Sequence, residues 1–86
     1  MADFRLQIYT QEKKAFDDEV TSLVVPGAEG YLGVLAHHAP LLTTLGAGKL
    51  TLRIGSKIQE FQLRGGFLEV HANEATILAD ELVQYG

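Results

Sequence analysis

Apolar and polar residues alternate with a period of two along most of this chain. In "DFRLQIYT", Phe4, Leu6 and Ile8 share one side while Arg5, Gln7 and Tyr9 share the other, the pattern of a strand with one face buried. "EVTSLVV" supplies Val20, Val24 and Val25 before Pro26-Gly27, where the missing proline N–H is expected to stop the ladder. "KLTLRI" sets Leu50, Leu52 and Ile54 against Thr51 and Arg53. Gly55-Ser56 and then "KIQEFQL" follow directly, which predicts a tight hairpin. "FLEV" puts Leu68 and Val70 opposite Phe67 and Glu69, the chain turns again near Asn73, and "ATILA" aligns Ala75, Ile77 and Ala79. Gly65-Gly66, inside strand-like sequence, predicts a bulge or a close approach of two backbones. No window carries three turns of helical pattern. The nearest, "AHHAPLLTTL", is interrupted by Pro40. Seven to ten short strands with turn residues between them predict an all-β fold, an antiparallel sandwich or barrel.

Composition narrows the function more than the fold. Eighty-six residues without repeats or linkers make one domain, 1–86, with a marginal core. The chain is 47% hydrophobic and 21% charged, an ordinary globular balance. It has no cysteine, so no disulfide or thiolate site supports it. A net charge of −4 argues against a nucleic-acid partner, which would call for a basic stripe. "MADFRLQIYT" lacks the cationic and apolar regions of a signal peptide, and no window of 18 apolar residues occurs.

Candidate chemistry is sparse. His37 and His38 are adjacent, so in extended backbone they point opposite ways, whereas paired ligands favour i, i+2 on a strand or i, i+4 on a helix. A metal site would need them, His71 or carboxylates to converge. The plainer reading is a loop whose histidines bond to backbone or meet a partner. Asp17-Asp18-Glu19, after Lys13-Lys14, reads as a solvated turn between strands rather than an acid–base pair. "LGAGKL" and "GAEGYLG" lack the spacing of a P-loop or a dinucleotide fingerprint, and neither opens a helix that could receive phosphate. Ser22 and Ser56 have no evident base. No catalytic residue and no cofactor are expected, and the residues alone point to a binding or structural module.

Four motifs go further. Pro26, Gly27, Glu29, Gly30, Leu32 and Gly33 form one; His38, Ala39, Pro40, Leu41, Leu42 and Thr43 a second; Gly65 to Val70 a third; Leu78, Ala79 and Asp80 the last. In order and spacing they closely resemble the epsilon subunit of bacterial and chloroplast F-type ATP synthases, called delta in mitochondria. The resemblance covers essentially the whole chain. It implies a flattened β-sandwich of about ten short strands, antiparallel, in the rotor's central stalk. The implied partners are the gamma subunit and the ring of c subunits, with proton flow through the ring coupled to ATP synthesis. Glu29, Gly30, Tyr31 and Leu32 would face the ring, and His38 and Thr43 would face gamma. The implied location is peripheral, on the cytoplasmic face of a bacterial inner membrane, with the stromal face of a chloroplast thylakoid as the weaker alternative. A histidine-dependent metal-binding β-domain is the competing reading.

Three positions depart from the family pattern. Tyr31 stands where an acidic residue is common, Arg64 where serine is frequent, and His37 where Gly or Asn is frequent. The ring contact is then expected to rest on aromatic burial and a phenol hydrogen bond more than on a charge pair. Longer members continue into a two-helix hairpin that can restrain ATP hydrolysis. This chain is expected to lack it, either as a piece cut at the domain boundary or as a naturally short subunit.

Overall fold

The computed structural model describes residues 2–85; Met1 and Gly86, the outermost positions of the expected domain 1–86, lie outside the described residues. Seven strands form: β1 (Phe4–Tyr9), β2 (Lys14–Val20), β3 (Ser22–Gly27), β4 (Gly30–Leu35), β5 (Leu41–Ile54), β6 (Lys57–His71) and β7 (Glu74–Gln84). They join in one continuous sheet of order β2-β1-β7-β6-β5-β3-β4.

Seven strands lie within the seven to ten that the pattern predicts and below the ten or so that the resemblance implies, because three of them are long rather than short. Strands β5 and β6 have 14 and 15 residues. At about 3.3 Å per residue a straight strand of that length would reach roughly 45 Å, yet the longest extent of the molecule is 30 Å. Both strands therefore bend. They bend where their glycines meet: Leu45 pairs with Gly66 and Ala47 with Arg64, which sets Gly46 beside Gly65. The bends fold the sheet into two layers. One holds β2, β1 and the 74–79, 66–71 and 41–45 arms of β7, β6 and β5. The other holds β3, β4 and the remaining arms. Counted by arms the strands again number ten.

At Gly65-Gly66 the strand register on both sides is unbroken, so no bulge forms there. The glycines allow close approach: a Cβ on Gly66 would overlap the Leu78 carbonyl, and its φ of 134° disfavours any other residue.

Pro26 does not stop β3. The strand continues to Gly27 and pairs with β4 as far as Gly30. The missing proline N–H falls where the β3–β5 register breaks, between Val24 and Gly27, so no ladder bond is lost. Nor is Asp17-Asp18-Glu19 a turn: all three lie within β2, paired to Gln7, Leu6 and Arg5. The turn comes earlier, over 10–13, tied by Thr10 N–H to the Lys13 carbonyl at 2.9 Å. One pair departs from antiparallel order, since β1 runs parallel to β7 from Arg5↔Glu74 to Tyr9↔Leu78.

The alternation holds where it was clearest. Phe4, Leu6, Ile8, Leu50, Leu52, Leu68, Val70, Ala75, Ile77 and Ala79 all enter the core between the layers, whereas Val24 turns outward and Leu23 and Val25 turn in. Among the described residues the core holds no polar or charged side chain. The Gly55-Ser56 hairpin closes on Ile54↔Lys57, with Gly55 at φ 62°.

Candidate interaction site

The doubled histidine belongs to a turn. His38 N–H donates to the Leu35 carbonyl at 3.2 Å, closing a four-residue turn. Its third position, His37, has φ 64°. A turn of this hand favours Gly or Asn at that place, which explains physically why histidine there is a departure. Asn73 fastens the turn to the strand ends: its Oδ1 accepts the His37 N–H at 2.8 Å, and its Nδ2 donates to the Asp3 carbonyl at 3.0 Å. His38 Nδ1 lies 2.7 Å from the Ala39 carbonyl. Among the described residues no group of three histidine or carboxylate side chains is placed to hold a metal ion.

A second turn carries the other predicted residues. Gly27 pairs with Gly30, leaving Ala28-Glu29 at the tip of the β3–β4 hairpin. Ala28 N–H donates to the Thr44 carbonyl at 3.2 Å, which lays the hairpin against β5. The result is an open cleft lined by Glu29, Gly30, Tyr31, Leu32 and Thr43. The structure thus brings together the four residues expected at the ring and one of the two expected at gamma. His38 lies beyond the opposite end of β4. Tyr31 is 61% exposed, but its phenol oxygen accepts the Lys49 N–H at 3.0 Å.

Sequence reasoning missed an apolar row on the outer face. Register aligns Thr44 with Phe67, Phe67 with Leu78, and Leu78 with Tyr9, across four neighbouring strands. Phe67 is 48% exposed and Leu78 54%, and together with Tyr9, Gln11 and Asp80 they line a shallow groove. Leu42, one step along β5, is exposed as well. The available signal was local: Tyr9, Phe67 and Leu78 are large apolar or aromatic residues at positions where the alternation predicts the solvent face.

Charges guard the edge beside this row. Asp17 accepts from Arg5 Nε at 2.7 Å and from Lys14 Nζ at 3.0 Å. These bonds, that from Lys14 foremost, hold the Asp17 carboxyl below its usual range; the same bonds raise Arg5 and Lys14. Lys14 also lies 5.7 Å from the centre of the Tyr9 ring. A charged strand at a sheet edge discourages pairing with stray strands.

Comparison with known proteins accords with this architecture. Residues 3–85 match the family model described as ATP synthase, Delta/Epsilon chain, beta-sandwich domain. The chain is 47% identical over 75 residues to the ATP synthase epsilon chain of Leptospira borgpetersenii serovar Hardjo-bovis (strain JB197), covering 87% of this chain and 59% of the relative. It is 42% identical over 84 residues to that of Caulobacter vibrioides (strain ATCC 19089 / CIP 103742 / CB 15), covering 98% of each. A chain in the cryo-EM structure of the Euglena gracilis mitochondrial ATP synthase, OSCP/F1/c-ring in rotational state 1, superposes with a TM-score of 0.91. That likeness has 26% identity and covers 98% of this chain and 54% of that one. The chain therefore spans little more than half of some relatives and nearly all of another. The two-layer fold, the motifs and the matches agree: this chain belongs to the delta/epsilon family of ATP synthase subunits, of which it carries the beta-sandwich domain.

Proposed function

We propose that the chain is a non-catalytic subunit of the rotor's central stalk, joining the gamma subunit to the ring of c subunits so that proton flow drives ATP synthesis. Its relatives named epsilon chain support the assignment to the complex. The observation that carries the coupling role is a pair of outward surfaces on one close-packed body, built mainly on different strands and adjoining at Thr43-Thr44 of β5. The β3–β4 tip presents Glu29, Gly30, Tyr31 and Leu32 at one place. The row Phe67, Leu78 and Tyr9 covers an outer face built on other strands. A body that transmits torque needs two grips that do not compete, and a dense apolar interior that deforms little between them. In this reading the tip meets the ring's polar loops, while the row, Thr43 and His38 meet gamma. The subunit then sits peripherally on the cytoplasmic face of a bacterial inner membrane, and residues 1–86 form its sandwich domain.

The test is disulfide trapping in the assembled complex. Cysteine at Glu29 is expected to cross-link to cysteine in a polar loop of the ring, and cysteine at Phe67 to one on gamma. Absence of the Glu29 link under oxidising conditions would overturn the ring-facing orientation, and absence of the Phe67 link the assignment of the row to gamma.

A further inference from the structure

The hydrogen bond between Tyr31 and Lys49 has a role beyond filling the ring-facing turn. The two residues are 18 positions apart, and Tyr31 stands on the edge strand β4. Three observations show that its ring is docked, although most of its surface is open. Tyr31 pairs in register with Pro26, which is buried. A Cβ on Gly48 would meet both the Tyr31 hydroxyl and the Pro26 ring, so glycine at 48 leaves the space that the phenol occupies. The phenol oxygen then takes the Lys49 N–H at 3.0 Å, at the interruption of the β3–β5 ladder.

That interruption matters because β5 pairs with β3 at Thr51 and again only at Leu45. The backbone over 46–49 is held by β6 on one side but has no β3 partner on the other, and there the Tyr31 oxygen takes the Lys49 N–H. The chemistry of the remaining valence follows. A phenol that accepts a backbone N–H still has its own O–H to give. Among the described residues no acceptor takes that proton. We propose that Tyr31 is a positioning and specificity residue of the ring-facing turn: its oxygen fixes the 46–49 span, and its O–H is offered to a hydrogen-bond acceptor on the ring loop, a backbone carbonyl or a carboxylate. This rests on the reading that the β3–β4 tip faces the ring. The turn then presents a neutral donor where an acidic residue at 31 would present an acceptor, so it selects a ring surface of the opposite hydrogen-bonding sense.

Two measurements test the proposal. Amide hydrogen exchange on the full chain reads the strut. Tyr31→Phe keeps the ring and removes the oxygen, so exchange at Lys49 is expected to rise about tenfold, as for an amide that loses its one acceptor. Amides of β1 are expected to be unchanged. Residence of the subunit on the complex containing the ring reads the donor: Tyr31→Phe is expected to dissociate about tenfold faster, and Tyr31→Glu faster still, because a carboxylate would face an acceptor. Unchanged exchange at Lys49, unchanged residence of Tyr31→Phe, or tighter holding of Tyr31→Glu than of Tyr31→Phe each overturns the proposal. The Glu29 cross-link separates the two levels. If the link forms and the Tyr31 variants behave alike, the orientation stands and the donor role falls. If the link fails, the orientation itself is wrong.

Discussion

His37 and Ala72 share an unfavourable backbone. Each is a side-chain-bearing residue at positive φ, 64° and 51° respectively, where glycine is at ease. Ala72 precedes Asn73, also positive at 62°, in the two-residue turn closed by His71↔Glu74. Replacing Ala72 with glycine relieves the Cβ while the rest of the turn is unchanged, so Ala72→Gly is expected to raise stability in urea melts by about 0.5–1 kcal/mol. His37→Gly is expected to do the same, because its bond to Asn73 uses the backbone N–H and survives the change. At Leu68, fully buried, truncation to alanine empties a core site and is expected to destabilise by about 2–5 kcal/mol in the same assay. Leu68 was legible in the sequence because its burial is one tooth of a local period-two pattern. The turn role of His37 was not, because a dihedral leaves no trace in residue type when the residue is the atypical one.

At the scale of strands, the sequence reading succeeded where one face of a strand is apolar and failed where pairing decides. Strand β2 carries Asp17, Asp18 and Glu19, a composition poor for strands. It forms at the sheet edge because it pairs along β1 from Phe4↔Val20 to Tyr9↔Lys14, with Arg5 and Lys14 answering the charge of Asp17. Asp17 has a lowered pKa from these partners, so its contribution to stability is full above the ordinary aspartate range and fades as pH falls through the lower folded-state value. The stability difference between wild type and Asp17→Asn is therefore expected to be constant at neutral pH and to shrink in acid, as followed by urea midpoints from neutral pH downward. The long strands were missed for a related reason: Gly65-Gly66, read as a bulge or a close backbone approach, mark with Gly46 the place where β6 and β5 bend together. Gly66→Ala would push a methyl group into the Leu78 carbonyl on β7. We expect a loss of about 3 kcal/mol or more, with thermal melts showing whether the bend tolerates a side chain.

For the molecule as a whole, the candidate surfaces were half legible. The residues at the β3–β4 tip follow one another in sequence, so a motif could mark Glu29 through Leu32. The apolar row could not be read that way. Tyr9, Phe67 and Leu78 meet only because β1, β7 and β6 align across the sheet. The row is nevertheless the feature most open to a quantitative check. Phe67→Ser leaves the core untouched and should unfold like wild type. It is expected to weaken association with gamma by about 2 kcal/mol or more, roughly thirtyfold, the scale of an aromatic anchor at an interface. Equal binding by the variant in a titration against gamma would remove Phe67 from the interface.

The one parallel pair has a mechanical consequence. Strands β1 and β7 are the first and last strands of the chain and run the same way, with Arg5 beside Glu74 and Tyr9 beside Leu78. Tension drawing Phe4 backwards and Gln84 forwards slides the two strands along each other instead of peeling them apart. Every hydrogen bond of that seam then bears the load at once and none can fail alone, as the rungs of a hairpin pulled at its open end do in sequence. Under such a pull the seam between β1 and β7 is a lap joint, not a zip.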